Sequence, residues 1–345
     1  MKFAAFSFSL ALLALSACTP TGDKATAPSE TPQVQQKETL VLYSGRSQVL
    51  IEGILEDFTA ETGIEVETRF DKSTQALANR LASEANQTDA DLFFAQDSGY
   101  LGALAGRGFL RKLPKDILAT VPRGNQAPEG QWVATSGRAR VLVFDPDKVK
   151  PEELPKSLNE LANERWKGQL GWAPSNASFQ AHVSALRHLW GESETETWLK
   201  SIQALEPKTY PKNSPQVKAV SNGEITIGWV NHYYLHKLKA ANPTLKAANY
   251  SFTKPGDAGN LMMLSGIGVT TASKHPEAAE KLVRYLLSKP VQTRFTQEIF
   301  EYPSRGDIAP NAVLPDIREQ MVQVDQTHLA DIGGTLSMLR SLSLQ

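Results

Sequence analysis

The sequence has a single cysteine, Cys18, among its 345 residues. One thiol cannot build a disulfide framework, a cysteine-ligated iron–sulfur cluster or a zinc finger, so those classes are excluded. A basic excess is missing as well, because 36 Lys and Arg residues face 37 Asp and Glu residues and the net charge is -1. Nucleic-acid binders usually carry a clear positive balance, so we expect no nucleic-acid partner.

Long apolar runs and catalytic motifs are also scarce. After the amino-terminal segment, no stretch is apolar for long enough to span a membrane. The patterns GxSxG, GxxxxGK[ST], HExxH and GxGxxG do not occur. We therefore expect a protein that is not an enzyme. One alternative stays open, namely a secreted hydrolase that uses Asp91 or Asp97.

The amino-terminal segment indicates where the protein works. A positive start is followed by an apolar run over residues 3–15 and then by Leu-Ser-Ala-Cys, which resembles the lipobox of bacterial lipoproteins. Residues 1–17 are predicted to be a signal peptide, and Cys18 the lipidated first residue of the mature chain. Residues 18–38 are rich in Thr, Pro, Gln and Ala and predict a flexible tether. We expect a membrane-tethered protein in the periplasm or at the cell surface, and Thr19 favours the outer membrane in a Gram-negative host.

An alternation of strands and helices follows the tether. Apolar or alternating segments predict strands over 38–43, 64–70 and 91–94, and Ile51, Ile54, Leu55 and Phe58 mark one helix face between the first two. Short connections between such elements favour a mainly parallel sheet. A long strand-like stretch over 132–144, with a Ser-Gly interruption, leads into a second block. That block is predicted to contain strands at 169–172 and 225–230, helices at 179–189, 194–205 and 232–241, and a helical tail over 316–344.

Two α/β blocks in an exported, tethered chain predict a two-lobed binding protein whose ligand lies in the cleft between the lobes. We place the first lobe at 39–136 and 265–305. The second lobe is placed at 137–264 and 306–345.

The most informative segment is Asn231-His232-Tyr233-Tyr234, where a predicted strand ends and a helix begins. Two tyrosines at a helix start can converge on one point, and the helix dipole there favours negative charge. Because tyrosine titrates near 10, a phenolate at neutral pH needs a strong cation, such as a hard trivalent metal ion. Aromatic packing is the alternative. His232 and His236 share a helix face and can bind zinc or simply face solvent.

Five segments resemble the periplasmic ferric-iron-binding proteins, which are the substrate-binding components of ABC-type iron importers. They are LVLYSGRS at 40–47, DLFFAQDSG at 91–99, SGRARVLVF at 136–144, WKGQLGWAPSNASFQ at 166–180 and YPKNSPQVKAVSNGEITIGWVNHYYLHKL at 210–238. The resemblance implies the two-lobed type II periplasmic-binding-protein fold, a monomer and a permease as partner. It also implies that Tyr233 and Tyr234 bind Fe(III) together with carbonate or another small anion. The implied partners of the anion are Arg138, Asn176, Ala177, Asn213 and Asn231.

The sequence departs from this family's pattern in the first lobe. Ser47, beside Arg46, stands where many members have a histidine ligand, and Gln96, followed by Asp97, stands where many have a glutamate. Gln96 or Asp97 remain candidate ligands, and Arg46, Ser47 and Gln96 are expected to close over the metal. The incomplete set of ligands predicts a strong dependence on the anion and leaves room for chelated iron. A binding protein for another solute, such as an oxyanion, a polyamine or a thiamine-like molecule, is the alternative function.

Overall fold

The computed structural model describes residues 38–71 and 73–344. The predicted signal peptide, Cys18 and almost the whole tether lie outside these residues and stay predictions. The helices of the described residues are α1 Gln48–Thr62, α2 Thr74–Glu84, α3 Ser98–Gly106, α4 Lys115–Leu118, α5 Ala177–Trp190, α6 Glu192–Ala204, α7 Asn213–Asn222, α8 Tyr233–Ala241, α9 Pro276–Leu286, α10 Lys289–Gln297 and α11 Ile332–Ser341. None of them has the length and apolar character that crossing a bilayer requires.

The strands of the same residues form one mixed sheet. They are β1 Thr39–Ser44, β2 Glu65–Phe70, β3 Leu92–Ala95, β4 Val133–Phe144, β5 Leu170–Trp172, β6 Lys208–Thr209, β7 Ile227–Asn231, β8 Ala248–Tyr250, β9 Met262–Val269 and β10 Tyr302–Pro303. Their order is β2-β1-β3-β9-β4-β7-β5-β6, and β8 and β10 pair with β4. We call β1, β2, β3 and β9 the first strand group and β5 to β8 the second strand group.

Strand β4 connects the two groups. Its first part, over 133–139, pairs with β9, and its second part, over 140–144, pairs with β7. The expectation of a mainly parallel sheet holds for β1 with β2 and β3, and for β5 with β6 and β7. Strands β4 and β9 lie antiparallel to their neighbours. The reason is that β4 leads from the first group to the second, whereas β9 leads back. The expected interruption of β4 is absent, and only a register shift between Ala134 and Ser136 marks it.

Each strand group has its own apolar core. The four residues of the predicted helix face, Ile51, Ile54, Leu55 and Phe58, are buried in α1 against the first group. The helix ends at Gly63, which adopts φ +74° and donates its N–H to the Thr59 carbonyl. This left-handed conformation suits glycine, which has no Cβ. Helices α5 and α6 cover the second group with an aromatic-rich cluster.

The carboxyl-terminal tail differs from the prediction. Residues 316–344 were expected to be helical, but an α-helix begins only at Ile332. Helix α11 packs against α5, where the Ser184 and Thr335 hydroxyls lie 2.7 Å apart. The segment before α11 reaches α3 of the other block, since Ser98 Oγ donates to Gln326 Oε1 at 3.0 Å. Local periodicity does not predict the structure of this segment, because the segment packs against both blocks. The lobe boundaries drawn from the sequence stay a prediction.

Candidate functional site

The paired tyrosines lie where the sequence places them, at the junction of β7 and α8. Tyr233 and Tyr234 open α8, and their rings are stacked with centroids 4.3 Å apart and planes inclined by 28°. Tyr233 is 9% exposed, and Tyr234 is half-buried. Burial and the neighbouring Tyr234 raise the pKa of Tyr233 well above 10, although Arg138 opposes the shift. The Tyr233 phenol therefore stays protonated at neutral pH until a cation displaces its proton.

A second feature beside the tyrosines is Arg140, which the sequence analysis missed. Its guanidinium is buried and donates to Asn231 Oδ1 at 3.0 Å, to Asn213 Oδ1 at 3.3 Å, to Ser178 Oγ at 3.2 Å and to the Trp229 carbonyl at 2.9 Å. All four acceptors are neutral, and Arg140 Nε has no hydrogen-bond partner among the described residues. Burial lowers the pKa of Arg140 to about 9, partly offset by the two tyrosines. An anion next to Arg140 would stabilise the charged form of the guanidinium, which burial destabilises.

Three predicted anion-binding asparagines converge on this arginine. Asn213 Nδ2 donates to Asn176 Oδ1 at 3.3 Å, and the Asn231 backbone N–H donates to Asn213 Oδ1 at 3.3 Å. Asn176 caps α5 by accepting from the Ser178 N–H at 3.1 Å, and Ala177 is the first residue of that helix. The structure thus groups Asn176, Asn213 and Asn231 around Arg140 and not around Arg138.

Arg138 is engaged elsewhere. Its Nη2 donates to Asp97 Oδ1 at 2.7 Å and to the Gln96 carbonyl. Burial lowers the pKa of Arg138, but Asp97, Glu301 and Tyr233 outweigh it, so the pKa lies above its usual value. Arg138 and Arg140 are two residues apart on β4, and residues with that spacing lie on the same face of a strand. The spacing was the signal in the sequence that could have identified Arg140.

Two of the first-block residues predicted to close over the metal, Arg46 and Gln96, are also held in place. Arg46 donates two hydrogen bonds to the Glu301 carboxylate, at 3.1 and 3.0 Å, and one to Gln96 Oε1 at 3.1 Å. Burial raises the pKa of Glu301, but Arg46 and Arg138 outweigh burial and bring it below its usual value. Ser47 is exposed, and its side chain makes no hydrogen bond that caps α1. Glu301 was missed because 255 residues separate it from Arg46.

His232 directly precedes α8, and His236 lies in it. The two histidines do not form a zinc pair, and they do not face solvent together. His232 is buried, its Nδ1 accepts from the Ala139 N–H at 3.1 Å, and its Nε2 lies 2.7 Å from the Phe300 carbonyl. Burial lowers the pKa of His232 to about 4, so the ring is neutral and both nitrogens are occupied. Among residues 38–71 and 73–344, no group of three or more His, Cys, Asp or Glu side chains is arranged to hold a metal ion.

Comparison with known proteins gives consistent matches. A model of the bacterial extracellular solute-binding proteins matches residues 88–324. The major ferric iron-binding protein of Neisseria meningitidis serogroup A is 32% identical over 297 residues, which cover 85% of this chain and 89% of the relative. Iron uptake protein A1 of Synechocystis is 32% identical over 334 residues, which cover 94% of this chain and 90% of the relative.

A solved structure agrees with these sequence matches. Iron-bound HitA from Pseudomonas aeruginosa superposes with a TM-score of 0.80 and 31% identity, over 88% of this chain and 99% of HitA. The fold is thus that of a two-lobed periplasmic solute-binding protein, a class whose members are binding proteins of transporters. Within it, the chain belongs to the periplasmic ferric-iron-binding protein family.

Proposed function

We propose that this protein binds ferric iron outside the cytoplasm, with Tyr233 and Tyr234 as phenolate ligands, and delivers it to the permease of an ABC transporter. The observation that carries the proposal is the stacked tyrosine pair beside Arg140, a buried arginine with no carboxylate partner among the described residues. Iron is the transported ligand here, and no covalent chemistry on it is required.

The tyrosines suit Fe(III) because hard oxygen ligands prefer hard cations. Both are in the first turn of α8, where the helix dipole favours negative charge. The neighbouring guanidinium of Arg138 also favours the phenolate form of Tyr233. A trivalent ion supplies the remaining free energy that deprotonation of two phenols needs.

The anion fits best at Arg140, with carbonate as the simplest candidate. Two phenolates and a divalent carbonate carry one negative charge more than Fe(III) balances, and Arg140 compensates for that surplus. The sequence analysis assigned this role to Arg138. Because Asp97 already neutralises Arg138, we now propose that Arg140 and the asparagines hold the anion, while Arg138 keeps Asp97 in place.

Closure of the cleft completes the proposal. The predicted lobes, 39–136 with 265–305 and 137–264 with 306–345, would approach each other as ligand binding shifts an equilibrium between open and closed forms. Arg46, Ser47 and Gln96 would then face the metal, and Gln96 or Asp97 are the further oxygen donors on that side.

Attachment to a membrane through Cys18 belongs to the same proposal. The protein would act as a monomeric lipoprotein that moves within reach of its permease on the tether of residues 18–38. Replacement of Cys18 by alanine should release the protein from the membrane fraction or prevent its processing. Unchanged fractionation at unchanged mass would contradict the lipid anchor.

Titration of the purified protein with ferric iron tests the proposed function. A phenolate–Fe(III) centre absorbs visible light, so a coloured complex should form at one iron per protein and should need bicarbonate. A colourless protein that binds no iron with or without bicarbonate would favour a transport protein for a different solute.

A further inference from the structure

A lysine beside the tyrosine pair has no part in the function proposed so far. Lys237 lies one turn after Tyr233 in α8, and its ammonium nitrogen lies over the Tyr233 ring, 5.3 Å from the ring centre. A cation at this distance is attracted by the negative face of the ring. Lys237 is half-buried, and burial lowers its pKa. The helix therefore holds a positive charge against one of the two proposed iron ligands.

Charges from the first block of the chain also act on Lys237. Glu301 raises its pKa and Arg46 lowers it, so the ammonium lies within electrostatic reach of both. The Glu301 carboxylate is already paired with Arg46 at 3.0 Å. Within residues 38–71 and 73–344, no carboxylate forms an ion pair with Lys237.

The charges around the tyrosines consequently do not balance. The two ion pairs described above, Arg46 with Glu301 and Arg138 with Asp97, are each neutral overall. Two cations remain without a carboxylate of their own among the described residues. One is Arg140, with its four neutral acceptors, and the other is Lys237. This surplus of positive charge favours a strongly anionic complex in the site.

The charge of the complex depends on the anion that enters with the iron. Fe(III) with two phenolates carries one positive charge. A divalent anion changes this to one negative charge, which the ammonium of Lys237 attracts. A monovalent anion leaves the complex neutral, so the same attraction is absent. Because an electrostatic interaction is stronger where water is partly excluded, a half-buried lysine separates the two cases better than an exposed one.

We propose that Lys237 makes the anion position selective for anions with two or more negative charges. Lys237 binds neither the iron nor the anion directly in this proposal. Its charge acts across the Tyr233 ring on the complex as a whole, which makes it a specificity-determining residue. This inference rests on the proposed function, because it assigns the class of anion that the same site accepts.

Two anions of similar shape and different charge test the inference. Oxalate carries two negative charges at neutral pH, and oxamate carries one. The full chain is titrated with ferric iron in the presence of either anion. Each variant is compared with the wild type in the same anion, so that binding of iron by the anion in solution cancels. Lys237→Met should weaken iron binding about fivefold with oxalate, or about 1 kcal/mol, and less than about twofold with oxamate.

Two further variants make the result specific. Lys237→Arg keeps the positive charge and should stay within about twofold of the wild type in oxalate. Lys239→Met is the matched control, because it removes a lysine two residues further along α8, on a different side of the helix. It should bind iron as the wild type does with both anions. The visible phenolate–iron band should persist in every variant, since both tyrosines are unchanged.

The outcomes separate the inference from the function on which it rests. Equal weakening with oxalate and oxamate in Lys237→Met, or no weakening with either, would overturn the inference and leave the proposed function intact. A loss in Lys237→Arg as large as that in Lys237→Met would overturn it as well, because the charge would then not be the cause. Wild-type protein that binds no iron with either anion or with bicarbonate would overturn the proposed function and the inference together.

Discussion

The two walls of the site differ in what they leave free for a ligand. On the tyrosine wall, formed by Tyr233, Tyr234 and Arg140, the two phenol rings are stacked and the guanidinium has only neutral hydrogen-bond partners. On the opposite wall, formed by Arg46, Gln96 and Asp97, the charged groups are already in ion pairs, Arg46 with Glu301 and Asp97 with Arg138. From this difference we propose that the tyrosine wall binds most of the iron and its anion, and that the opposite wall closes over them.

Among the changes that test this comparison, loss of a phenol should reduce iron binding most. Tyr233→Phe and Tyr234→Phe each keep the stacked rings but remove one ionisable oxygen. We expect the visible band to weaken sharply or disappear, and the iron affinity to fall at least about 100-fold, which corresponds to about 2.7 kcal/mol. Absorption spectra and competition with a chelator measure both effects. Tyr285→Phe is the matched control, and an unchanged band in both site variants would rule out tyrosine ligation.

The effect of pH on iron affinity should be nearly as large. The pKa of Tyr233 lies well above 10, so its phenol releases a proton when iron binds at any pH from 5 to 8. The affinity should therefore increase with pH, by about tenfold per pH unit for each proton released. It should decrease as the pH falls, because protons then compete with the metal for the phenolate. Iron titrations at fixed bicarbonate and several pH values measure this slope, and a flat profile would exclude phenolate ligands.

The two arginines of β4 provide a sharper test of which wall holds the anion. Arg140→Met removes the unneutralised charge and should reduce iron affinity in bicarbonate about 30-fold, or about 2 kcal/mol, as for a hydrogen-bonded charged group. Arg138→Met should reduce the affinity less, by about threefold, because Asp97 already neutralises the charge that this change removes. Thermal unfolding of the iron-free variants checks that each has folded. The reverse order of effects would return the anion to Arg138.

A new carboxylate on the opposite wall should have the smallest effect on iron binding. Gln96→Glu places a charged oxygen where the wild type has an amide that accepts from Arg46. Because Arg46 would hold part of that charge, we expect the bicarbonate requirement to relax only about threefold, or about 0.6 kcal/mol. Iron titrations with and without bicarbonate measure it, and the exposed Gln297→Glu serves as control. A large gain in affinity would show that the opposite wall has a vacant metal position.

Much of the tyrosine wall could be predicted from the sequence. The junction of β7 and α8, with its adjacent tyrosines, and the helix face of α1 are local patterns that the structure confirms. Helices α7 and α10 were missed, since each has a proline in its first turns and few apolar residues to mark a face. Proline is compatible with a helix start, so its position alone did not exclude them.

The opposite wall was much harder to predict, because its contacts depend on tertiary structure. The ion pair of Arg46 with Glu301 joins residues far apart in the chain, and no local spacing indicates it. The link between Arg138 and Asp97 likewise depends on the way β4 passes beside the start of α3. Sequence chemistry selected arginine and asparagine as anion partners, and that assignment stays a prediction. It could not decide which of two arginines on one strand face would lack a carboxylate.

A crystal structure of the iron-loaded protein grown with bicarbonate tests the central claim most directly. We predict that both phenolate oxygens of Tyr233 and Tyr234 bind the iron, and that an anion bound to the same iron accepts hydrogen bonds from Arg140. Iron coordinated by Gln96 or Asp97, with no anion at Arg140, would contradict the account.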